Sequence, residues 1–219
     1  MTLTPRPDGV RVPCGADLRL VIFDCDGVLF DSWQANVAFY NAVLAAVGLP
    51  PLDAGGERLC HTLSSPQLYL HLFGSDPALH RRVLEAADGV DYGPFYSLMD
   101  PVPELESTLT RLAGHFRLAL ATNRGRTVAG VVAHFRLDAF FPIRVGVLDV
   151  ARPKPAPDML LTCIERAGVD VAEAVFVGDT DLDRQAAAAA GIAYVGVGAG
   201  SGATLTVRDI RELPQLLLP

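Results

Sequence analysis

The sequence predicts an α/β fold in which helices cover both faces of a doubly wound parallel sheet, and three observations support this. Short apolar runs alternate with helical patterns through the second half of the chain. The first apolar run, residues 18–23, is short and β-branched, as in a strand buried on both faces. Acidic, hydroxyl and amide residues directly follow several of these runs, which is where ligands bind in such sheets.

The elements follow one another in a β-α-β rhythm, which requires right-handed crossovers between parallel strands. After the first strand, we predict strands over 116–121, 143–147, 174–177 and 192–195, with an edge strand at 205–207. The helices between them are predicted over 104–113, 127–134, 157–167 and 181–190.

Residues 32–103 form a different kind of segment, with no convincing strand. Helical spacing runs through 33–47, and shorter helices are predicted at 66–73 and 77–87, each with a proline near its start. A parallel crossover needs only about a dozen residues, so this segment is an insert that we interpret as a small α-helical cap domain over the strand ends. The predicted organisation is an N-terminal lead-in at 1–17, a core from 18–31 and 104–219, and a cap at 32–103.

Composition limits the classes of protein that this chain can represent. Half of its 219 residues are hydrophobic and the mean hydropathy is +0.30, which excludes a disordered chain. No apolar run reaches the roughly 18 residues of a membrane span, and residues 1–17 do not resemble a signal peptide. A net charge of −7 argues against a nucleic-acid surface. Four scattered cysteines are typical of free thiols in a reducing compartment, so we expect a cytoplasmic location.

The most informative motif is Asp24-Cys25-Asp26-Gly27, at the end of the first strand. Side chains alternate along a strand, so Asp24 and Asp26 share a face, and Gly27 allows a sharp turn. Two carboxylates this close are costly unless a cation lies between them or they transfer protons. The motif therefore indicates chemistry, the alternative being two solvated aspartates in a turn.

Three further motifs are predicted at the same edge of the sheet. The hydroxyl of Thr122 and the backbone around Asn123 suit a phosphoryl oxygen. Lys154 lies among three prolines that restrict the backbone, although an exposed loop lysine is the alternative. Asp179 ends a strand and Asp183 lies one helical turn later, where an acidic helix cap is the alternative. A set of oxygen ligands like this one suits Mg²⁺.

In order and spacing, these four motifs resemble those of the haloacid dehalogenase superfamily, from about residue 18 to residue 218. The segments 30–32 and 152–155 are similar to the branch that contains phosphoglycolate phosphatase and β-phosphoglucomutase. The resemblance implies a Rossmann-like core with a helical cap. It also implies a Mg²⁺-dependent phosphatase that hydrolyses a phosphate monoester of a small metabolite through an aspartyl phosphate. A sugar-phosphate mutase is the alternative, although 61–67 lacks the arginine expected of one.

The resemblance also implies roles for single residues. Asp24 would be the nucleophile. Asp26 would protonate the leaving alcohol and then deprotonate water, a double role that favours a pKa above that of free aspartate. Catalysis and phosphate binding would further involve Thr122, Lys154, Asn123 and Gly27. Mg²⁺ would be held by Asp24, the backbone carbonyl of Asp26, Asp179 and, directly or indirectly, Asp183.

Substrate recognition is expected to depend on the cap and on the loop after Thr122. Candidate contacts are Arg58, His61, Gln67, His71, Arg124 and Arg126. The expected partner is a small phosphorylated metabolite, with a monomer as the default and a dimer left open. Two other classes remain as alternatives: a receiver-like signalling domain with aspartates around Mg²⁺, and a catalytically idle scaffold on the same fold.

Overall fold

A computed structural model describes residues 17–218, so the predicted lead-in at 1–17 lies outside the described residues except for Asp17. The strands are β1 Leu20–Phe23, β2 Phe30–Asp31, β3 Asp100–Pro101, β4 Arg117–Ala121, β5 Ile143–Val145, β6 Ala174–Gly178, β7 Ala193–Val197 and β8 Thr206–Val207. The α-helices are α1 Trp33–Ala46, α2 Ala54–Leu59, α3 Ser65–Phe73, α4 Pro77–Gly89, α5 Leu105–Ala113, α6 Thr127–His134, α7 Asp158–Ala167, α8 Asp181–Ala190 and α9 Leu213–Leu217.

Six strands form one parallel sheet in the order β5-β4-β1-β6-β7-β8. The central strand β1 pairs with β4 on one side and β6 on the other, so that Ile22 lies opposite Ala119 and Phe176. From β1 the chain builds one half of the sheet through β4 and β5 and the other through β6, β7 and β8. The predicted doubly wound α/β fold is confirmed.

Both faces of the sheet are buried, as the continuous apolar strands predict. Val21 and Phe23 point into one hydrophobic cluster, with residues of α5, α6 and α9. Leu20 and Ile22 point into a second cluster with residues of α7 and α8. Because the helices cover the faces, the carboxyl ends of the strands are left free to form a site.

The helical segment leaves and rejoins the core through a small antiparallel sheet that the sequence did not predict. Strands β2 and β3 pair Phe30 with Pro101 and Asp31 with Asp100. Two-residue strands are too short to produce a recognisable pattern. The four helices α1 to α4 lie between them, and within residues 17–218 no helix is long and apolar enough to cross a membrane.

Other differences from the predicted elements have local causes. The strand predicted at 143–147 ends at Val145, since the Val147 N–H donates to the carbonyl of Arg124 at 3.1 Å instead of continuing the ladder. Helix α2 was not predicted, because it contains two glycines, which have low helix propensity. It begins with Asp53, whose side chain accepts the Gly56 N–H at 2.8 Å.

Candidate active site

Asp24 lies at the carboxyl end of β1 and is held there by the sheet. Its N–H donates to the Val177 carbonyl of β6 at 2.9 Å. Its side chain is nearly buried, and Oδ1 lies 3.0 Å from Lys154 Nζ. Burial raises the pKa of Asp24 to about 7; Asp183 and Asp26 add to this shift, and Lys154 opposes it. This carboxylate therefore depends on nearby positive charge to stay ionised.

Lys154 supplies that charge from inside the protein. Its side chain is 2 % exposed, and Nζ donates to Asp183 Oδ1 at 2.6 Å and to the Ala121 carbonyl at 3.2 Å. Burial alone would lower the pKa of Lys154, but Asp183 and Asp24 outweigh it and raise the pKa above its ordinary value. The lysine is anchored through its backbone N–H, which donates to Asn123 Oδ1 at 3.2 Å.

Asp183 supports Lys154 from the first turn of α8. Its Oδ2 accepts hydrogen bonds from the Thr180 N–H at 3.0 Å and from Thr180 Oγ1 at 2.6 Å, and its own N–H donates to Thr180 Oγ1 at 3.2 Å. A Cβ at Gly178 would lie 2.6 Å from Asp183 Cβ, so only glycine fits there. Both carboxylate oxygens of Asp183 thus have protein partners, and we infer a positioning role.

Asp179 offers a carboxylate oxygen with no hydrogen-bond partner within residues 17–218. Its Oδ1 is buried and accepts no hydrogen bond from the described residues. Burial raises the pKa of Asp179 to about 8, and Asp24 and Asp183 add to the shift. Gly27, at φ +75°, makes room for it: a Cβ there would lie 2.0 Å from Asp179 Oδ2. Oxygens of Asp24, Asp179 and Asp183 lie within 4.8 Å of one another.

This set of donors fits Mg²⁺. Magnesium prefers oxygen ligands and is typically held by one or two carboxylates together with water and phosphate oxygens. Asp24 and Asp179 meet that requirement, since buried carboxylates at such separation strongly repel one another without a cation. Asp183 completes the cluster, but it already bonds to Lys154.

Asp26 does not point at this cluster, because Arg124 binds its carboxylate. Arg124 Nε donates to Oδ2 at 2.8 Å and Nη2 donates to Oδ1 at 2.5 Å, while Ser32 Oγ also donates to Oδ1. Burial opposes ionisation of Asp26, but Arg124 outweighs it and lowers the pKa of Asp26 below its ordinary value. The expectation of a raised pKa at Asp26 is therefore wrong for this structure.

Residues of the helical segment hold Arg124 in place, and this contact was not predicted from the sequence. Its Nη2 donates to Asn36 Oδ1 of α1 at 3.2 Å, and the guanidinium lies 5.2 Å from the ring centre of Tyr92. Thr122 Oγ1 accepts the Arg124 N–H at 3.2 Å, so the predicted phosphate-binding loop and Arg124 are coupled. The available sequence signal was Asn36, a polar residue within a largely apolar helix.

The profile of the haloacid dehalogenase-like hydrolase family matches residues 21–197, most of the chain. The chain belongs to this family. Phosphoglycolate phosphatase 1 of Pseudomonas aeruginosa is 31% identical over 175 residues, 75% of this chain and 64% of that protein. The chain thus spans less than two thirds of that relative's length. The phosphoglycolate phosphatase of Yersinia pestis is 30% identical over 182 residues, 77% of this chain and 76% of that protein.

Solved structures of haloacid dehalogenase-like hydrolases agree with this assignment. A HAD-superfamily hydrolase of subfamily IA, variant 1, from Geobacter sulfurreducens superimposes with a TM-score of 0.74 at 34% sequence identity. The match covers 94% of this chain and 100% of that one. It therefore includes the helical segment as well as the sheet.

In this haloacid dehalogenase-like chain, a cavity of ≈ 560 Å³ lies between helices α1, α3 and α4 and the strand ends. Asp24, Asp26, Thr122, Asn123, Lys154 and Asp183 line it together with Arg124, Arg126 and His61. Other predicted substrate contacts lie elsewhere among the described residues. Arg58 and His71 are exposed outside the cavity, and Gln67 Oε1 accepts hydrogen bonds from Ser64.

Proposed function

We propose that this chain is a Mg²⁺-dependent phosphatase that hydrolyses a phosphate monoester of a small metabolite through an aspartyl phosphate. The observation that carries the proposal is the buried Asp24 carboxylate, which lines the cavity 3.0 Å from the ammonium of Lys154. The relatives named phosphoglycolate phosphatase support the same class of reaction.

In the first step an oxygen of Asp24 forms a bond to phosphorus while the bond from phosphorus to the leaving oxygen breaks. Asp26 gives its proton to that oxygen, which leaves as an alcohol. In the second step water attacks the phosphorus of the aspartyl phosphate and gives a proton to Asp26. Phosphate departs and Asp24 is regenerated, so atoms and protons balance over the cycle.

Lys154 and the Thr122 loop bind the charged phosphoryl group in this scheme. Lys154 is held charged by Asp183, and the Thr122 hydroxyl and the backbone N–H of Asn123 suit phosphoryl oxygens. The Gly27 N–H already donates to the Phe30 carbonyl at 2.8 Å, so the expectation that Gly27 binds phosphate gains no support. Mg²⁺ would be held by Asp24, Asp179 and the backbone carbonyl of Asp26. When bound, it would offset the negative charge that otherwise opposes attack by a carboxylate on a phosphate.

Arg124 acts in this scheme as a positioning residue for Asp26. Its two hydrogen bonds keep the carboxylate ionised, whereas the first step requires a proton on Asp26. A bound phosphate dianion adds negative charge beside Asp26 and so favours its protonation. We infer that substrate binding weakens the ion pair between Arg124 and Asp26, and that Asp26 then takes up a proton.

The remaining parts of the proposal concern organisation. We propose that residues 32–103 act as a cap that excludes water from the phosphoryl group, because α1 and Tyr92 supply one wall of the cavity. Buried free thiols at Cys25, Cys60 and Cys163 support a cytoplasmic location. The mutase alternative gains no support from 61–67, which contains no arginine.

The test is phosphate release from a panel of phosphorylated small metabolites, with Mg²⁺ and with EDTA. Asp24→Asn, which keeps the shape of the side chain but cannot form the aspartyl phosphate, is the blank. We expect turnover that requires Mg²⁺ and disappears in the variant. Acid quenching during turnover should trap phosphate on Asp24. Undiminished release from Asp24→Asn would sink the mechanism, whereas an isomerised sugar phosphate would establish the mutase.

A further inference from the structure

The part of the cavity that faces the helical segment is mainly aromatic and aliphatic. Its walls are formed by side chains that include Phe39, Tyr40, Leu63, Tyr69, Leu84 and Tyr92. The rings pack against one another: Tyr40 and Tyr69 meet edge to face at 5.6 Å, and Phe39 and Tyr92 lie 5.2 Å apart. In the proposed reaction, this part of the cavity receives the alcohol that leaves.

The positive charges that line the cavity are already paired. Among its described lining residues, Lys154 pairs with Asp24 and Asp183, and Arg124 pairs with Asp26. Arg126 is largely exposed and lies 3.1 Å from Asp88. A leaving group with its own carboxylate would therefore have to break one of these ion pairs to gain a cationic partner.

The remaining polar groups near the leaving-group half are neutral or acidic. Burial lowers the pKa of His61 below its ordinary value despite nearby Asp26, which favours the neutral imidazole. Tyr69 is 1% exposed, and its Oη has no partner among the described residues. Its hydroxyl can therefore donate a hydrogen bond, but it carries no positive charge. Asp91 adds negative charge to the same wall, whereas the charge of Asp88 is offset by Arg126. This surface disfavours a second anionic group on the substrate.

The size of the cavity also disfavours a small leaving group. A volume of ≈ 560 Å³ lies well within the range of roughly 300–1,000 Å³ that encloses larger organic ligands. An ester of a two-carbon acid such as phosphoglycolate would leave most of the aromatic wall uncovered.

We propose that the leaving-group half of this site accepts an uncharged, largely apolar alcohol, aromatic or aliphatic, in preference to a small carboxylic acid. This inference rests on the proposed phosphatase function and specifies its substrate class. It separates this chain from the substrate printed in the names of its phosphoglycolate phosphatase relatives.

The test compares three phosphate esters of primary alcohols: benzyl phosphate, ethyl phosphate and 2-phosphoglycolate. Burial of a phenyl ring against the aromatic wall should raise kcat/KM for benzyl phosphate at least about tenfold above that for ethyl phosphate. The kcat/KM for benzyl phosphate should also exceed that for 2-phosphoglycolate by a similar factor. Equal values, or a preference for 2-phosphoglycolate, would overturn the inference while leaving the phosphatase function in place.

A variant that adds a positive charge to the cavity wall provides a second test. Leu84→Lys places an ammonium group at the aromatic wall, so the ratio of kcat/KM for benzyl phosphate over 2-phosphoglycolate should fall at least about tenfold. Leu161→Lys is the matched control, since Leu161 is exposed on α7 and does not line the cavity. It should leave the ratio unchanged. An unchanged ratio in Leu84→Lys would contradict the proposed location of the leaving group.

Failure of the phosphatase function can be distinguished from failure of this inference. If no ester is hydrolysed in the presence of Mg²⁺, the proposed function fails. The affinities of two non-hydrolysable phosphonates, 2-phenylethylphosphonate and 3-phosphonopropionate, are then measured by calorimetry to test the inference. Tighter binding of the phenyl compound supports it, and equal or weaker binding overturns it.

Discussion

Arg124 binds both carboxylate oxygens of Asp26, with Nε 2.8 Å from Oδ2 and Nη2 2.5 Å from Oδ1. The same guanidinium donates to Asn36 of α1, so one side chain joins the candidate general acid to the helical segment. Because that contact lies beside the substrate cavity, movement of the helices relative to the core would be felt directly at Asp26.

Arg124→Lys should therefore impair the chemical step. A lysine cannot donate two parallel hydrogen bonds to one carboxylate, so Asp26 loses its fixed orientation. We expect kcat to fall by about 10²-fold, within the range for a misplaced acid–base group, with little change in Mg²⁺ affinity. Arg152→Lys is the control, because Arg152 donates from Nε and Nη2 to Asp158 in the same way but is exposed and does not line the cavity. Steady-state kinetics check this, and equal losses in both variants would contradict the positioning role.

Lys154→Met should destabilise the fold as well as abolish turnover. It leaves Asp24 and Asp183 buried without a counter-charge, a change that typically costs about 3–5 kcal/mol. Arg152→Met is the control: Arg152 also pairs with an aspartate, Asp158, but it is exposed, so the expected loss is about 0–1 kcal/mol. Urea unfolding without metal measures both, and similar losses would show that Lys154 is not an essential counter-ion.

Gly27→Ala should weaken Mg²⁺ binding because its Cβ would displace the Asp179 carboxylate, 2.0 Å away. Gly48→Ala separates this effect from backbone strain: Gly48 has nearly the same φ, +74°, but nothing lies within 4 Å of its added Cβ. Both variants should lose about 1 kcal/mol of stability from the left-handed backbone. Only Gly27→Ala should lose Mg²⁺ affinity and activity in calorimetry and phosphate release. Unaltered Mg²⁺ binding in Gly27→Ala would remove Asp179 from the metal site.

Mg²⁺ affinity should rise with pH. Burial raises the pKa of Asp24 to about 7 and that of Asp179 to about 8, so both carboxyls are partly protonated at neutral pH without metal. Since Mg²⁺ binds only the ionised forms, protons compete below these values, and affinity should increase between about pH 6 and about pH 8.

The same linkage predicts that Mg²⁺ binding releases protons. Calorimetry in buffers of different ionisation enthalpy measures the number, which should fall in Asp179→Asn. A pH-independent affinity would contradict direct ligation by these carboxyls.

Much of the fold and the position of the site followed from local sequence pattern. Short, nearly continuous apolar runs predicted β1, β4, β6 and β7, because strands buried on both faces need such sequences. The candidate residues follow those strands, and a parallel sheet places strand ends along one edge. Asp24, Thr122, Lys154 and Asp183 consequently line one cavity, as their positions in the sequence predicted.

Partnerships between distant side chains were decided by the tertiary structure alone. Arg124 and Asp26 are 98 residues apart, and no periodicity links them, so the lowered pKa of Asp26 could not be predicted. The aromatic wall joins Tyr40 of α1, Tyr69 of α3 and Tyr92, which follows α4. The sequence pattern indicates which face of its own helix or strand a residue occupies. Which residue of another element it meets depends on how the elements pack, and that packing determines both the charge state of the site and the shape of its cavity.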